Sequence, residues 1–518
     1  MRSVRLWMSA VLLVVAGAGV AGWQLMPAKG NDNRTIRVGT TDAVTSLDPA
    51  GAYDAGSWAL FGNVFQSLLT FEPGGAKPVP DAAKSCAFTD TRLRTYRCTL
   101  RGDLTFPSGR TMTAADVKFS FDRVKRINDE VGPASLLSTL GSVDASGRTV
   151  TFHLSSPDAT FPFKLATGAG SIVDSTRYPR HSLRTGAGVD GTGPYVLKTY
   201  TQGAKAVLAP NPGYKGAVDD PGKPVVLRYY ANSGALQVAW RAKELDVVAR
   251  QLPPAVLAAL SPSDPAQRVT EADSAETRNL VLNVREGSPL HDRRVRQALA
   301  SLVDRETLVD RTYRGTTDPL YGLIPAGIAG HATSFFDSYP KPDPKKARAL
   351  LTEAGVSLPV RFTYGFAEGR GAAGEEAAEL KRQLEADGLF EVTTEGFEWT
   401  EFQKKYAEGG LDAWAVGWVA DYPDADTFGA PLVGTGNSMK NGYTDKDVDR
   451  LIKETRQDAD RSRTADAFRR LQAQVAQDVP LIPLWQRRDY VISTEDVSGG
   501  EYLSDGTGVF RLWQLNWL

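Results

Sequence analysis

Trp414-Ala415-Val416-Gly417-Trp418-Val419-Ala420-Asp421-Tyr422-Pro423-Asp424 is the stretch that decides how this chain folds. Its first half alternates large and small apolar residues, as a half-buried strand does. Its second half is a loop closing on Pro423. Trp414 belongs to the core side of the strand. Asp421 stands where strand gives way to loop, where it can cap a turn before Pro423. Asp424 and Asp426 read as solvated acids.

Outward from that stretch, short β-like runs alternate with amphipathic helices, the pattern of α/β or α+β domains. Residues 35–40 (TIRVGT) and 149–154 (TVTFHL) alternate as strands. Thr113-Ala114-Ala115-Asp116 is a capping box, after which Val117, Phe121 and Val124 share a helical face. Asp292 caps a helix with Val295, Leu299 and Leu302 inside. Asp343-Pro344 opens another, with Ala347, Leu350, Leu351 and Ala354 inward and Gly355 as its stop. Asp445 starts a third, burying Val448, Leu451 and Ile452. At 518 residues the chain exceeds what one core organises, so two or three domains are expected.

With 60 Lys+Arg against 61 Asp+Glu and a net charge of −1, nucleic acid is excluded as a partner, since that binding needs a basic face. Arg2 and Arg5 precede residues 6–22, which carry no charge. The pattern is an export segment spanning residues 1–30, and a cleaved signal peptide and an uncleaved N-terminal membrane anchor both fit it. Either way the body is expected to be extracytoplasmic, secreted or anchored to the cytoplasmic membrane. No Cys lies near the end of the run, so the protein is expected not to be a lipoprotein. The two cysteines, Cys86 and Cys98, flank a run with a turn near Thr89-Asp90-Thr91. A hairpin there would bring them together, and an oxidising compartment favours a structural disulfide over two buried thiols.

Catalytic chemistry is missing. The four histidines, His153, His181, His291 and His331, show no metal-ligand spacing. There is no GxSxG elbow and no P-loop. The GxGxxG match at Gly17 to Gly22 lies inside the export segment and follows no strand. No catalytic residue, metal or cofactor is expected.

Several segments, in order, are similar to the family 5 extracellular solute-binding proteins, the oligopeptide and dipeptide binders of ABC importers. They are Ser46-Leu47-Asp48-Pro49; Leu100-Arg101-Gly102-Asp103-Leu104-Thr105-Phe106-Pro107-Ser108-Gly109; Gly191-Thr192-Gly193-Pro194-Tyr195; Asp292-Arg293-Arg294-Val295-Arg296-Gln297-Ala298-Leu299; Gly417-Trp418-Val419-Ala420-Asp421; and Pro480-Leu481-Ile482-Pro483-Leu484. The resemblance implies an α/β, two-lobed, periplasmic-binding-protein-like clam-shell fold of type II with an extra subdomain in the first lobe. Lobe I would be 31–276 with 56–186 as the subdomain, lobe II 277–486, and 487–518 a C-terminal return. The lobes would be joined by crossovers near 279–284 and 485–493.

The resemblance also implies a role. The expected function is capture of a peptide or other small-molecule ligand, delivered to an ABC permease, by a monomer that closes without reaction. In similar proteins the ligand lies between the segment after Leu-Asp-Pro, here Tyr53, Asp54 and Ala55, and the Gly-Trp segment. Main-chain groups of Gly417 and Val419 would hold its backbone, Asp421 its α-ammonium, and Trp399 and Trp418 its side chains. Two basic positions of oligopeptide binders are occupied here by Ala415 and Tyr406, leaving Arg370 as the candidate for a ligand carboxylate. A non-peptide solute (metal chelate, oligosaccharide or antibiotic-like molecule), a membrane-anchored sensor and an extracytoplasmic hydrolase are the alternatives.

Overall fold

The computed structural model describes residues 34–250, 252–504, 506–507 and 509–518, so the export segment lies outside the described residues. Local chemistry sets the elements. Asp116 accepts hydrogen bonds from the Thr113 N–H and hydroxyl at the start of helix Ala114–Ile127. Asp292 accepts from the Arg294 N–H at 2.8 Å before helix Arg293–Ala300. Asp343 accepts from the Lys346 N–H at 2.9 Å, and Gly355 ends helix Pro344–Ala354 at φ 70°, a left-handed conformation that glycine adopts without a Cβ clash. Of the inward residues expected there, Ala347 and Leu351 are buried while Leu350 and Ala354 lie at the margin.

One mixed sheet of eleven strands spans the molecule. Its order is Phe390–Phe397, Val360–Ala367, Ala413–Val419, Gln267–Leu282, Leu481–Thr494, Val247–Ala249, Ile36–Thr40, Val225–Tyr229, Lys205–Pro210 and Tyr195–Thr201, with Thr317–Pro319 attached to Leu481–Thr494 off this path. Gln267–Leu282 and Leu481–Thr494 are long antiparallel partners that tie the two halves together. Their ladder shifts register between Asp273 and Thr277 and again between Arg278 and Asn279, ahead of the 279–284 run. A bulged ladder bends more easily than a regular one.

Three large cores surround this sheet. One is built from residues between Leu280 and Trp485 and contains Trp414, Phe402 and Leu471. Another joins Ile36, Phe61 and Val225 to Val491, Phe510 and Leu515 near the C-terminus. The third lies between Ala50 and Ile172 and underlies a separate four-stranded sheet of Ala83–Phe88, Thr95–Leu100, Thr149–Leu154 and Leu140–Ser146. In that sheet Cys86 pairs directly with Cys98, and a disulfide joins them across the hairpin. Among the described residues no helix is long and apolar enough to cross a membrane.

The bodies meet through specific bonds. The Ala159 N–H donates to the Arg456 carbonyl at 2.8 Å, and Gly371 N–H donates to Ser233 Oγ at 3.1 Å. Between these contacts runs a cleft.

Candidate functional site

The first wall of the cleft comes from the start of helix Ala55–Val64. Asp54 caps it, accepting from the Ser57 N–H at 2.8 Å and from the Thr45 hydroxyl. Burial raises the Asp54 carboxyl, while the Thr45 and Ser57 hydrogen bonds oppose that shift. One of its oxygens is committed to Ser57 of the helix and the other to Thr45, which fixes the turn that carries Tyr53 and Ala55. Tyr53 stacks on Trp58 at 5.1 Å between centroids and meets Trp418 edge-on at 5.8 Å.

The second wall is the strand Ala413–Val419. It pairs antiparallel with Gln267–Leu282, matching Gly417 with Arg278. The Asn283 N–H donates to the Asp412 carbonyl at 2.8 Å and the Ala420 N–H to the Ala275 carbonyl at 3.3 Å, bracketing this ladder. Hydrogen-bonded pairs alternate along an antiparallel ladder. Trp414, Val416 and Trp418 therefore bond inward, and Ala415, Gly417 and Val419 turn their N–H and C=O groups to the opposite edge. The parallel strand Val360–Ala367 occupies that edge only at Ala413 and Trp414. Beyond it the edge is open, among the described residues, and lines the cleft.

Asp421 lies just past that strand and is buried. Its Oδ2 accepts from the Tyr53 hydroxyl at 2.7 Å and from the Thr427 hydroxyl at 3.1 Å. Burial pushes its carboxyl up to about 7, against those two hydrogen bonds. The Tyr53 phenol is raised by burial and by the Asp421 charge. Asp421 is thus a carboxylate short of positive charge.

Trp399 opens helix Trp399–Ala407, and the Arg370 guanidinium stacks over its ring at 4.2 Å. No carboxylate of the described residues pairs with Arg370; burial lowers it, while Asp42 and Asp54 favour its charge. It is therefore not the solvated loop residue that its Gly-flanked context suggests. Ala415 is fully buried, and Tyr406 stacks on Trp414 at 5.6 Å.

All nine residues singled out from the sequence (Tyr53, Asp54, Ala55, Arg370, Trp399, Gly417, Trp418, Val419 and Asp421) line one cavity of about 1740 Å³, its open mouth included. Two expectations nearby need correction. Asp424 and Asp426 are buried, not solvated: Arg461 grips Asp424 through two bonds of 2.8 and 2.9 Å, and Arg456 binds Asp426 at 2.9 and 3.1 Å. Those guanidinium groups come from a later segment, out of reach of local pattern. Sequence reasoning also missed Glu276, Arg278 and Arg487, which line the same cavity. In the run Thr270-Glu271-Ala272-Asp273-Ser274-Ala275-Glu276-Thr277-Arg278 the first two look like an ordinary solvated face, and Arg487 lies in the distant strand Leu481–Thr494. Among the described residues, no group of His, Cys, Asp and Glu is arranged to hold a metal ion.

Two bodies, bulged connecting strands and a polar cleft with an open strand edge define a solute-binding protein. Residues 77–440 match the family described as bacterial extracellular solute-binding proteins, family 5, and the chain belongs to it. It is 29% identical to Di/tripeptide-binding protein 2 of Pseudomonas aeruginosa, over 94% of this chain and 95% of that one. Its fold matches the periplasmic binding protein AgaA of A. tumefaciens R10 in complex with agropinic acid, at TM-score 0.85 and 19% identity, covering 94% of this chain and 99% of the other. It also matches the periplasmic binding protein DppA of Helicobacter pylori in complex with the peptide STSA, at TM-score 0.83 and 21% identity over 93% and 98%. These neighbours are periplasmic binding proteins of the type II fold.

Proposed function

We propose that this protein captures short peptides outside the cytoplasm and hands them to a membrane ABC permease, acting as a monomer. In this reading 31–276 with the return 487–518 forms one lobe, 56–186 its extra subdomain, and 277–486 the other lobe. The observation that carries the reading is the open edge at Gly417 and Val419, set between an acid lacking a cation and a guanidinium lacking an anion. A peptide has the matching parts: an α-ammonium for Asp421, a backbone for the strand edge, and a carboxylate for Arg370. The relative of 29% identity is named for di- and tripeptides, which supports the same ligand class.

The site closes on its ligand and leaves it unchanged. A molecule touching both walls favours the closed form by its differential contacts. Native mass spectrometry of the protein with a mixture of di- and tripeptides tests this: one peptide per chain, released intact, is the expected result. Release of hydrolysed fragments would favour the hydrolase alternative, and no peptide adduct at all would overturn the reading.

A further inference from the structure

Two helices cover opposite faces of the sheet beside the open edge. Helix Ala373–Glu385 lies on one face, where its buried Glu376 accepts from Arg278 Nε at 2.8 Å, the Tyr313 hydroxyl at 2.8 Å and Trp485 Nε1 at 2.7 Å. Helix Trp399–Ala407 lies on the other, where Tyr406 stacks on Trp414. Successive side chains of an extended ligand point alternately to these two faces.

The faces differ in chemistry. Trp399, Val416 and Trp418 make one side apolar. On the other stand Glu276 and Arg278, the cross-strand partners of Val419 and Gly417, which share that face. Glu276 Oε2 accepts from Arg487 at 3.2 Å, which leaves Oε1 without a donor among the described residues. A Cβ at Gly417 would come within 3.0 Å of that Oε1, so the bare glycine lets the acceptor approach the edge. Arg278 uses Nε on Glu376 and lines the cavity, and its terminal nitrogens have no partner among the described residues. The charges cancel in pairs, Arg487 with Glu276 and Arg278 with Glu376. What remains is a donor and an acceptor side by side.

We infer that this face is a side-chain pocket for a carboxamide, so that the ligand carries Asn or Gln on one side of its backbone and an apolar residue on the other. A carboxamide oxygen takes the Arg278 donors while its NH2 group meets Glu276 Oε1. A carboxylate would face Glu276, an ammonium would face Arg278, and an aliphatic chain would leave both groups unmatched. Sites built to bond a polar group reject the analogue that lacks it far more strongly than apolar pockets reject a change of size. The inference rests on the peptide reading above.

Calorimetry with Leu-Gln, Gln-Leu, Leu-Glu, Glu-Leu, Leu-Lys, Lys-Leu and Leu-Leu tests it. One of the two Gln dipeptides should bind at least tenfold more tightly than its Glu, Lys and Leu counterparts. Arg278→Gln should bring that dipeptide down to the level of Leu-Leu. Should loss of Arg278 unfold the protein by stranding Glu376, the double variant Arg278→Gln/Glu376→Gln serves in its place. Glu276→Gln, which leaves Arg487 unopposed, should invert the order so that the Glu dipeptide exceeds the Gln one. Equal binding of all seven, or unchanged ranking in the variants, overturns the carboxamide pocket alone. Binding of none of them overturns the peptide reading and the pocket with it.

Discussion

The Asp421 carboxyl keeps its proton up to a pH of about 7 because burial outweighs the hydroxyls of Tyr53 and Thr427. An unfolded aspartate releases its proton near 3.8. The folded state therefore binds more protons between those values, and the stabilisation from this group is full below about 3.8 and lost as pH rises to about 7. The difference is worth about 4 kcal/mol at 1.36 kcal/mol per pH unit. Asp421→Asn should accordingly raise the melting temperature at pH 8 and flatten its pH dependence, as calorimetric scanning would show. The same substitution should weaken binding of an amine-bearing dipeptide at least a hundredfold. In the parent protein that affinity should fall about tenfold per pH unit below 7 and level off above it, since the ligand must displace the proton. A flat titration profile would remove Asp421 from contact with the amine. Asp421 was legible in the sequence because a motif carries it. Arg278 was not, because what buries it, Trp485 and Glu376, comes from distant segments that no local pattern announces.

Around the loop holding Asp421, three buried charges cluster with a partly buried fourth, Arg456. Asp158 and Lys164 come from one body, Asp426 and Arg456 from another, and Thr160 bridges towards Asp426 at 3.4 Å. Burial lowers Lys164, assisted by Arg456, while Asp158 and Asp426 hold its charge. Asp426 is lowered overall because Arg456 and Lys164 outweigh its burial. Removing one member leaves an uncompensated charge. Lys164→Met should cost about 3–5 kcal/mol in urea unfolding; a cost under 1 kcal/mol would show that the quartet is hydrated. Elements of this kind escaped the sequence, which presents Asp424 and Asp426 as surface acids. The helices opened by Thr113, Asp292, Asp343 and Asp445 did not escape it, because a cap and an apolar face lie within one turn of each other.

At the scale of the molecule, the two long strands form a hydrogen-bonded ladder between the halves, and it is irregular between Asp273 and Asn279. A ligand that touches both walls adds to the bonds Tyr53–Asp421, Ala159–Arg456 and Gly371–Ser233 that already cross between them. Solution scattering should show the radius of gyration falling on addition of a bound dipeptide, and the melting curve should gain about 2.7 kcal/mol at a hundredfold excess over Kd. An unchanged radius with full binding would mean that the jaw does not move. The arrangement of strands into one sheet follows from pairings between residues far apart in the chain, which is why no local pattern announces its order.

The exposed edge at Gly417 and Val419 is made of peptide groups, and every residue but proline supplies them alike. Selection can redraw both pockets beside it, trading one cargo for another, without loosening the hold on the cargo's own backbone. At position 419 only an imino acid would remove the donor, whereas at 417 any side chain would also crowd the Glu276 carboxylate.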